Sequence, residues 1–438
     1  MRESFDVVVV GGGPGGSVCA ARLAQRGLRV LVLEKERFPR FHLGESLLPQ
    51  SLPVLEEIGV LEKVKADFIW KYGARFHDDA RGRKDRFGFD GAWRGEPAHA
   101  FQVERALFDQ TLLEHARSLG VDVREQWTVT VAVRDGERVI GVLATAPDGT
   151  DARFDAKYVV DASGRDALFA HAARSTDKIV DLDQTAVFAH YEAVPRAEGK
   201  LAGDIDIVIF RESPEARPNW FWIIPFKSGM TSVGAVVSRK WIRDQRARIG
   251  GASGASGGRK TEDDVTALLS AAIAESPAAR EMLAPARMLW PQARATADFS
   301  YRVRDLTGPG WVAIGDAGGF IDPLFSTGAH LAMCGGKAAA DVLADLVATD
   351  GVEGTSAETQ KLGAWETMLR TGAETFILAV QAFYAGPLME AIFAENKHTA
   401  LRRSITSLLA GDVFTDAVWL RDTRLRLKEM VSSSVPGS

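Results

Sequence analysis

Apolar residues open the chain as a solid run and then recur at helical spacing. Phe5–Val10 is an apolar run of strand type, and it ends in the turn Gly11-Gly12-Gly13-Pro14-Gly15-Gly16. Ser17 to Arg26, small and apolar, reads as a helix, and Val30–Leu33 is a second strand closing on Glu34, eighteen residues past Gly16. Lys35 to Ser46 is broken by Pro and Gly and reads as a loop that directly follows this unit. Helical periodicity resumes from Leu48 to Lys65. Trp70–Phe76 reads as a strand, and Asp78–Arg94 as a charged, Gly-containing loop. Gln102 to Asp109 starts a helix running to about Leu119. Val139–Thr145 and Arg153–Val160 form a hairpin around Pro147–Thr150, leading into a second strand-to-loop turn at Asp161–Gly164.

From Thr185 the period becomes that of strands. Thr185–Glu192, Asp204–Phe210, Trp220–Phe226 and Thr231–Ser238 predict an antiparallel sheet. Gly250–Gly258 is a flexible loop by composition, followed by a helix to about Leu283. Trp311–Asp316 is a strand that must return to the first domain, and the next helix runs from about Gly328 to Val347. Residues 363–430 are helical by pattern. The fold class is therefore α/β: a Rossmann-type domain (1–184 and 296–347), an antiparallel-sheet domain (185–295) and a helical C-terminal extension (348–438).

A chain of 438 residues buries a large core, and a net charge of −5 gives no case for nucleic acid. The first strand begins so near the N-terminus that no signal peptide is expected, and no apolar span has transmembrane length. Cys19 and Cys334 sit in small-residue helical contexts and read as buried thiols in a reducing compartment rather than a disulfide or metal pair. The expected location is cytoplasmic.

Strand, glycine turn, helix, strand and acid together form a dinucleotide fingerprint far more specific than a lone GxGxxG. Glycine permits the sharp turn and close backbone approach to a pyrophosphate, and the helix start supplies N–H groups. Glu34 is placed to bind a ribose hydroxyl pair, which favours FAD or NAD over a 2′-phosphorylated cofactor.

With Asp161–Gly164, Gly315-Asp316 and the Arg105 helix in this order, residues 5–347 resemble the FAD-binding fold of the p-hydroxybenzoate hydroxylase type. Trp220-Phe221-Trp222-Ile223-Ile224-Pro225 matches WxWxIP, and Phe320 to Gly328 is similar to the FxxPxxSxG loop, both of flavin-dependent halogenases. Lys71 lies in the Lys-Tyr-Gly context of the phenol and pyrrole type. The resemblance implies FAD contacts from Gly11, Gly13, Gly16, Glu34, Glu45, Ser46, Arg105, Asp316 and Ala329. It also implies a halide held by Thr327 and Gly328, Lys71 as the catalytic residue, and a barrier of Trp220, Trp222 and Phe325 between flavin and substrate.

The implied reaction uses reduced FAD, dioxygen and chloride or bromide to make hypohalous acid, which reaches an aromatic ring through Lys71. Lysine titrates near ~10.4 in water, so a chloramine at Lys71 requires burial to disfavour the ammonium, whereas a hydrogen-bonding role does not. Tryptophan halogenases carry Glu where this chain has Phe325, so the expected substrate is phenolic or pyrrolic, free or tethered to an acyl or peptidyl carrier protein. One nucleotide fingerprint implies that a partner flavin reductase supplies reduced FAD. The alternatives of the same fold are an aromatic monooxygenase, in which the substrate must touch the flavin and a bulky wall would be a hindrance, and a geranylgeranyl-reductase-like flavoprotein. A non-catalytic flavoprotein is the remaining alternative.

Overall fold

The computed structural model describes residues 2–211, 216–252, 262–297, 299–349, 356–395 and 399–433. They divide into two compact units: Met1–Ala66, Val103–Ile179 and Tyr301–Thr375 form the first, and Asp67–Gln102, Val180–Ser300 and Phe376–Ser438 the second. Among the described residues, no helix is long and apolar enough to cross a membrane.

The first unit is built on the strand Arg2–Val10, which runs parallel to Val30–Glu34 on one side and Asp151–Asp161 on the other. Trp311–Ala313 joins parallel to Asp151–Asp161, so the late strand returns to the first sheet as its pattern requires. Val7, Val8 and Val9 are fully buried, as expected for a parallel strand covered on both faces. The helices Pro14–Gln25 and Thr327–Ala348 cross at glycine. A Cβ on Gly336 would lie 2.5 Å from the Gly15 carbonyl oxygen, and one on Gly15 would lie 3.1 Å from that of Ala332. Cys19 and Cys334 sit on these two helices as free thiols.

The second unit holds an eight-stranded sheet containing the four expected strands, observed as Gln184–Glu192, Ile205–Phe210, Asn219–Pro225 and Thr231–Ser238. Its pairs are antiparallel except Ile205–Phe210 with Gly73–Asp78, which run parallel. Phe221, Ile223, Val208 and Val233 pack with Trp241, Leu268 and Leu269 of the helices Arg239–Ala252 and Glu262–Glu275. Strand alternation sends Trp220 and Trp222 to the opposite face.

Several expected elements are divided. Leu48–Lys65 is a short 3₁₀ turn and two helices, Leu52–Ile58 and Leu61–Asp67, separated by Gly59 at φ +90°, a left-handed C-cap. The helix after residue 261 stops at Glu275 and restarts at Pro277, where the Ser276 hydroxyl accepts the Ala279 N–H at 3.1 Å. Trp70–Phe76 is two strands, Ile69–Lys71 and Gly73–Asp78, because the Tyr72 N–H donates to Asp204 Oδ1 (3.1 Å) instead of to a strand partner. Within the expected loop Asp78–Arg94, Arg83–Gly88 is an edge strand whose charged residues mask its period. Thr128–Asp135 is a strand and Arg239–Ala252 a helix that the pattern did not expose. Of the glycine-rich stretch, Gly250 and Gly251 lie within that helix, while residues 253–258 fall outside the described residues.

Gly336→Ala is expected to destabilise the protein by about 1–3 kcal/mol, because the added methyl meets backbone that cannot turn aside. Urea denaturation measures this, and an unchanged midpoint would contradict it.

Candidate active site

In the first unit the glycines of the turn divide the work. Gly11, at φ +103°, brings its backbone against Ala162, where a Cβ would sit 2.3 Å from the carbonyl oxygen. A Cβ on Gly16 would lie 2.0 Å from the Gly11 carbonyl oxygen, so the helix must start tight against the strand. Gly13 is different: the nearest atom to an added Cβ is Arg40 Nη2 at 3.6 Å. The helix begins at Pro14 with no side-chain cap and no acid in its first turn, leaving its first N–H groups to an anionic ligand. Glu34, buried at the end of its strand, accepts the Gly12 N–H on Oε2 (2.7 Å) and the Glu36 N–H on Oε1 (2.8 Å).

Arg105 starts the next helix and donates twice to Asp109, Nε to Oδ1 at 2.7 Å and Nη2 to Oδ2 at 2.9 Å. Its third nitrogen, Nη1, donates to the Leu43 carbonyl, tying down the loop that carries Glu45 and Ser46. Both of those are buried, and the Glu45 carbonyl accepts the Val103 N–H at 2.8 Å. Burial alone would raise Asp109, but Arg105 and Arg40 hold it below the usual carboxylate range. Asp316 follows the returning strand in the 3₁₀ turn Gly315–Ala317. Desolvation pushes its carboxyl up to about 6, with Arg105 and Arg165 opposing.

Phe325, buried, closes the turn Pro323–Phe325, which Asp322 caps by accepting the Leu324 N–H at 2.9 Å. Ser326, at φ +56°, then turns the chain into the helix Thr327–Ala348. Thr327, Gly328 and Ala329 form the first turn of that helix, which has no side-chain cap and no acid. These residues fit FAD and a halide: two glycines close the backbone, a third stays open, and two helix starts offer N–H groups without a competing anion.

In the second unit Lys71 is 2% exposed, whereas Trp70 beside it is 36% exposed on the other face. The Lys71 Nζ lies 5.2 Å from the centre of the Phe89 ring. Burial draws the amine down to about 7, with Asp204 opposing. Trp220 donates its Nε1–H to the Tyr384 hydroxyl (2.8 Å), and Trp222 donates to Ser232 Oγ (3.0 Å). The two rings stand 6.2 Å apart. Trp222 lies in a slot that only glycine leaves open, since a Cβ on the facing Gly234 would come 2.2 Å from its ring.

The first unit thus gathers Gly11, Gly13, Gly16, Glu34, Glu45, Ser46, Arg105, Asp316, Phe325, Thr327, Gly328 and Ala329, while Lys71, Trp220 and Trp222 belong to the second. Sequence reasoning missed Asp204, Arg86, Phe89, Tyr384 and Gly234. The glycine in Lys71-Tyr72-Gly73 was the available signal for a close contact there.

A family model described as "Tryptophan halogenase" matches residues 6–96 and 91–386. The 1H-pyrrole-2-carbonyl-[peptidyl-carrier protein] chlorinase of Pseudomonas fluorescens is 31% identical over 437 residues, covering 94% of this chain and 90% of its own. The 1H-pyrrole-2-carbonyl-[peptidyl-carrier protein] brominase of Pseudoalteromonas luteoviolacea is 28% identical, covering 97% and 96%. The solved structure of flavin-dependent brominase Bmp2 is similar at a TM-score of 0.83 and 28% identity, covering 98% of this chain and 100% of that one.

The desolvated amine makes stability depend on pH. The unfolded chain binds the Lys71 proton up to its ordinary value of 10.5, the folded chain only to about 7. Below that window both states carry the proton and the fold bears the full cost of a buried ammonium. Across the window only the unfolded state keeps it, so stability rises with pH. Lys71→Met is therefore expected to be a few kcal/mol more stable than the parent at about pH 6, with the gap narrowing by about pH 9. Paired urea titrations check this, and a gap independent of pH would contradict it.

Proposed function

The chain belongs to the tryptophan halogenase family and is an FAD-dependent halogenating enzyme, and we propose that it delivers the halogen through Lys71 to an electron-rich phenolic or pyrrolic ring carried on an acyl or peptidyl carrier protein. The observation that carries this reading is the burial of the Lys71 amine, which makes an uncharged nucleophile available near neutral pH. The two similar proteins named for carrier-bound pyrrole support the substrate class, as does the apolar Phe325.

Gly11, Gly13 and Gly16 with the helix start at Pro14 would hold the FAD pyrophosphate, Glu34 a ribose, and Glu45, Ser46, Arg105, Asp316 and Ala329 the rest of the cofactor. Bound in reduced form, FAD supplies with dioxygen the two-electron oxidation of chloride or bromide to hypohalous acid, the second oxygen leaving as water. Thr327 and Gly328 bind the halide through the first N–H groups of their helix. The Lys71 lone pair then attacks the halogen of hypohalous acid, and hydroxide leaves with the amine's proton as water. The ring takes the halogen from the resulting N–halogen bond, and its displaced proton returns the amine to its starting state. Trp220, Trp222 and Phe325 keep the substrate from the flavin. A separate flavin reductase supplies reduced FAD, in keeping with the one dinucleotide fingerprint of the sequence.

Lys71→Ala is expected to lower halogenation by about 100-fold or more while reduced FAD is still reoxidised. Product formation with a flavin reductase, NADH, bromide and a carrier-bound pyrrole or phenol measures it, beside the same ring in free form. Full activity in Lys71→Ala would overturn the role of the lysine, and equal turnover of the free ring would overturn the carrier.

A further inference from the structure

Lys71 is held by groups from several short segments of the second unit. Its strand pairs with Ala100–Gln102, whose Gln102 Nε2 donates to the Gly203 carbonyl at 2.9 Å. Gly203 is pressed onto the Trp70 carbonyl, 2.0 Å from where a Cβ would stand. The next residue, Asp204, is completely buried, and its Oδ1 accepts the N–H of Tyr72, the neighbour of Lys71. The charged groups on the surrounding elements are few. Asp90 on the Phe89 turn is exposed, the exposed Lys200 reaches over the Tyr72 ring at 5.6 Å, and the His99 ring lies tilted against Trp70 at 4.5 Å, on the other face of the strand. The Asp204 charge favours the protonated form of the amine, against the effect of burial.

That carboxylate has a dedicated partner. Arg86 Nε donates to Asp204 Oδ2 at 2.7 Å. The guanidinium lies over two glycines paired across adjacent strands: a Cβ on Gly73 would be 3.1 Å from Arg86 Nη2, and one on Gly88 would be 2.9 Å from Nη1. Gly73 is the glycine of Lys71-Tyr72-Gly73, and a Cβ there would meet the Phe87 carbonyl oxygen at 2.5 Å as well as the arginine, so the residue two places from the amine sits against both.

We propose that Arg86 is a positioning residue: by engaging the Asp204 carboxylate from its glycine-floored slot, it keeps that charge from holding a proton on the Lys71 amine. A buried carboxylate without a cation favours a proton on a base within reach of its field, and the Lys71 amine is such a base. With Arg86 in place the carboxylate anchors the Tyr72 backbone while its charge is met on the other side. The functional consequence rests on the role given to Lys71 above, whereas the electrostatic effect does not.

The test is a pH titration of the Lys71 Cε resonance in ¹³C-lysine-labelled, FAD-bound enzyme, the signal being assigned by its loss in Lys71→Met. Arg86→Gln is expected to move the midpoint up by about one pH unit or more, and Asp204→Asn to move it down. Arg86→Lys, which keeps the charge, restores most of the parent value. The alkaline shift in Arg86→Gln appears as well in the pH profile of halogenation. Midpoints that stay put, or that move the same way in both variants as a merely structural clamp would produce, overturn the proposal. Opposite shifts together with full halogenation by Lys71→Ala uphold the role of Arg86 and overturn only the relay through the lysine.

Discussion

The second unit is arranged around one costly placement, a lysine amine taken out of water. An ammonium in that setting loses its hydration, a loss that the Phe89 ring face and a carboxylate offset in part, so the uncharged amine gains ground. The backbone on either side is held to match. The Asp204 carboxylate takes the Tyr72 N–H, Gly203 seats the Trp70 carbonyl, and the strand breaks between Lys71 and Gly73 as a result. On the sheet face away from the covering helices, Trp220 and Trp222 are fixed by their indole N–H groups, to Tyr384 and Ser232 respectively. A ring fixed by both packing and a hydrogen bond does not swing aside, which is what the barrier role proposed for these two residues would demand.

The first unit solves a different problem by the same means, backbone brought closer than any side chain allows. Gly11 against Ala162, Gly16 against Gly11 and Gly15 against Gly336 draw a strand end, the start of the Pro14 helix and the middle of the Thr327 helix together. The helix that begins at Thr327 is thereby fixed to the one that begins at Pro14, and under the proposed function the N–H groups offered to halide and pyrophosphate would belong to one packed pair of helices. Arg105 adds the loop 43–46 to that body through Leu43, and Asp109 keeps the arginine oriented.

Much of this was legible in the sequence because it depends on local pattern. A continuous apolar run, a glycine turn and an acid at fixed distance specify the parallel unit, and alternation from Thr185 specifies the second sheet and puts Trp220 and Trp222 on one face. The helix breaks at Gly59 and Ser276-Pro277 carried readable signals that periodicity overrode. Arg86 was hidden for a different reason: an edge strand has one buried position, Phe87, among charges, so its sequence resembles a loop. Asp204 looked like the start of a strand. Its meaning lies in a contact 132 residues away at Tyr72, which no local pattern encodes. The burial of Lys71 was foreseeable only from its aromatic neighbours; its extent is set by Phe89, Ala100 and the Gly203 turn, brought together by the tertiary fold.

The central claim is that the buried amine carries the halogen. Its most direct measurement is a wash-out: the enzyme is charged with reduced FAD, dioxygen and bromide without substrate, passed through a desalting column with a hypohalite scavenger, and then given the aromatic substrate. The account predicts brominated product in an amount approaching one per chain, and none from Lys71→Met. Product absent from the parent enzyme after wash-out, with normal halogenation when all components are present together, would contradict it.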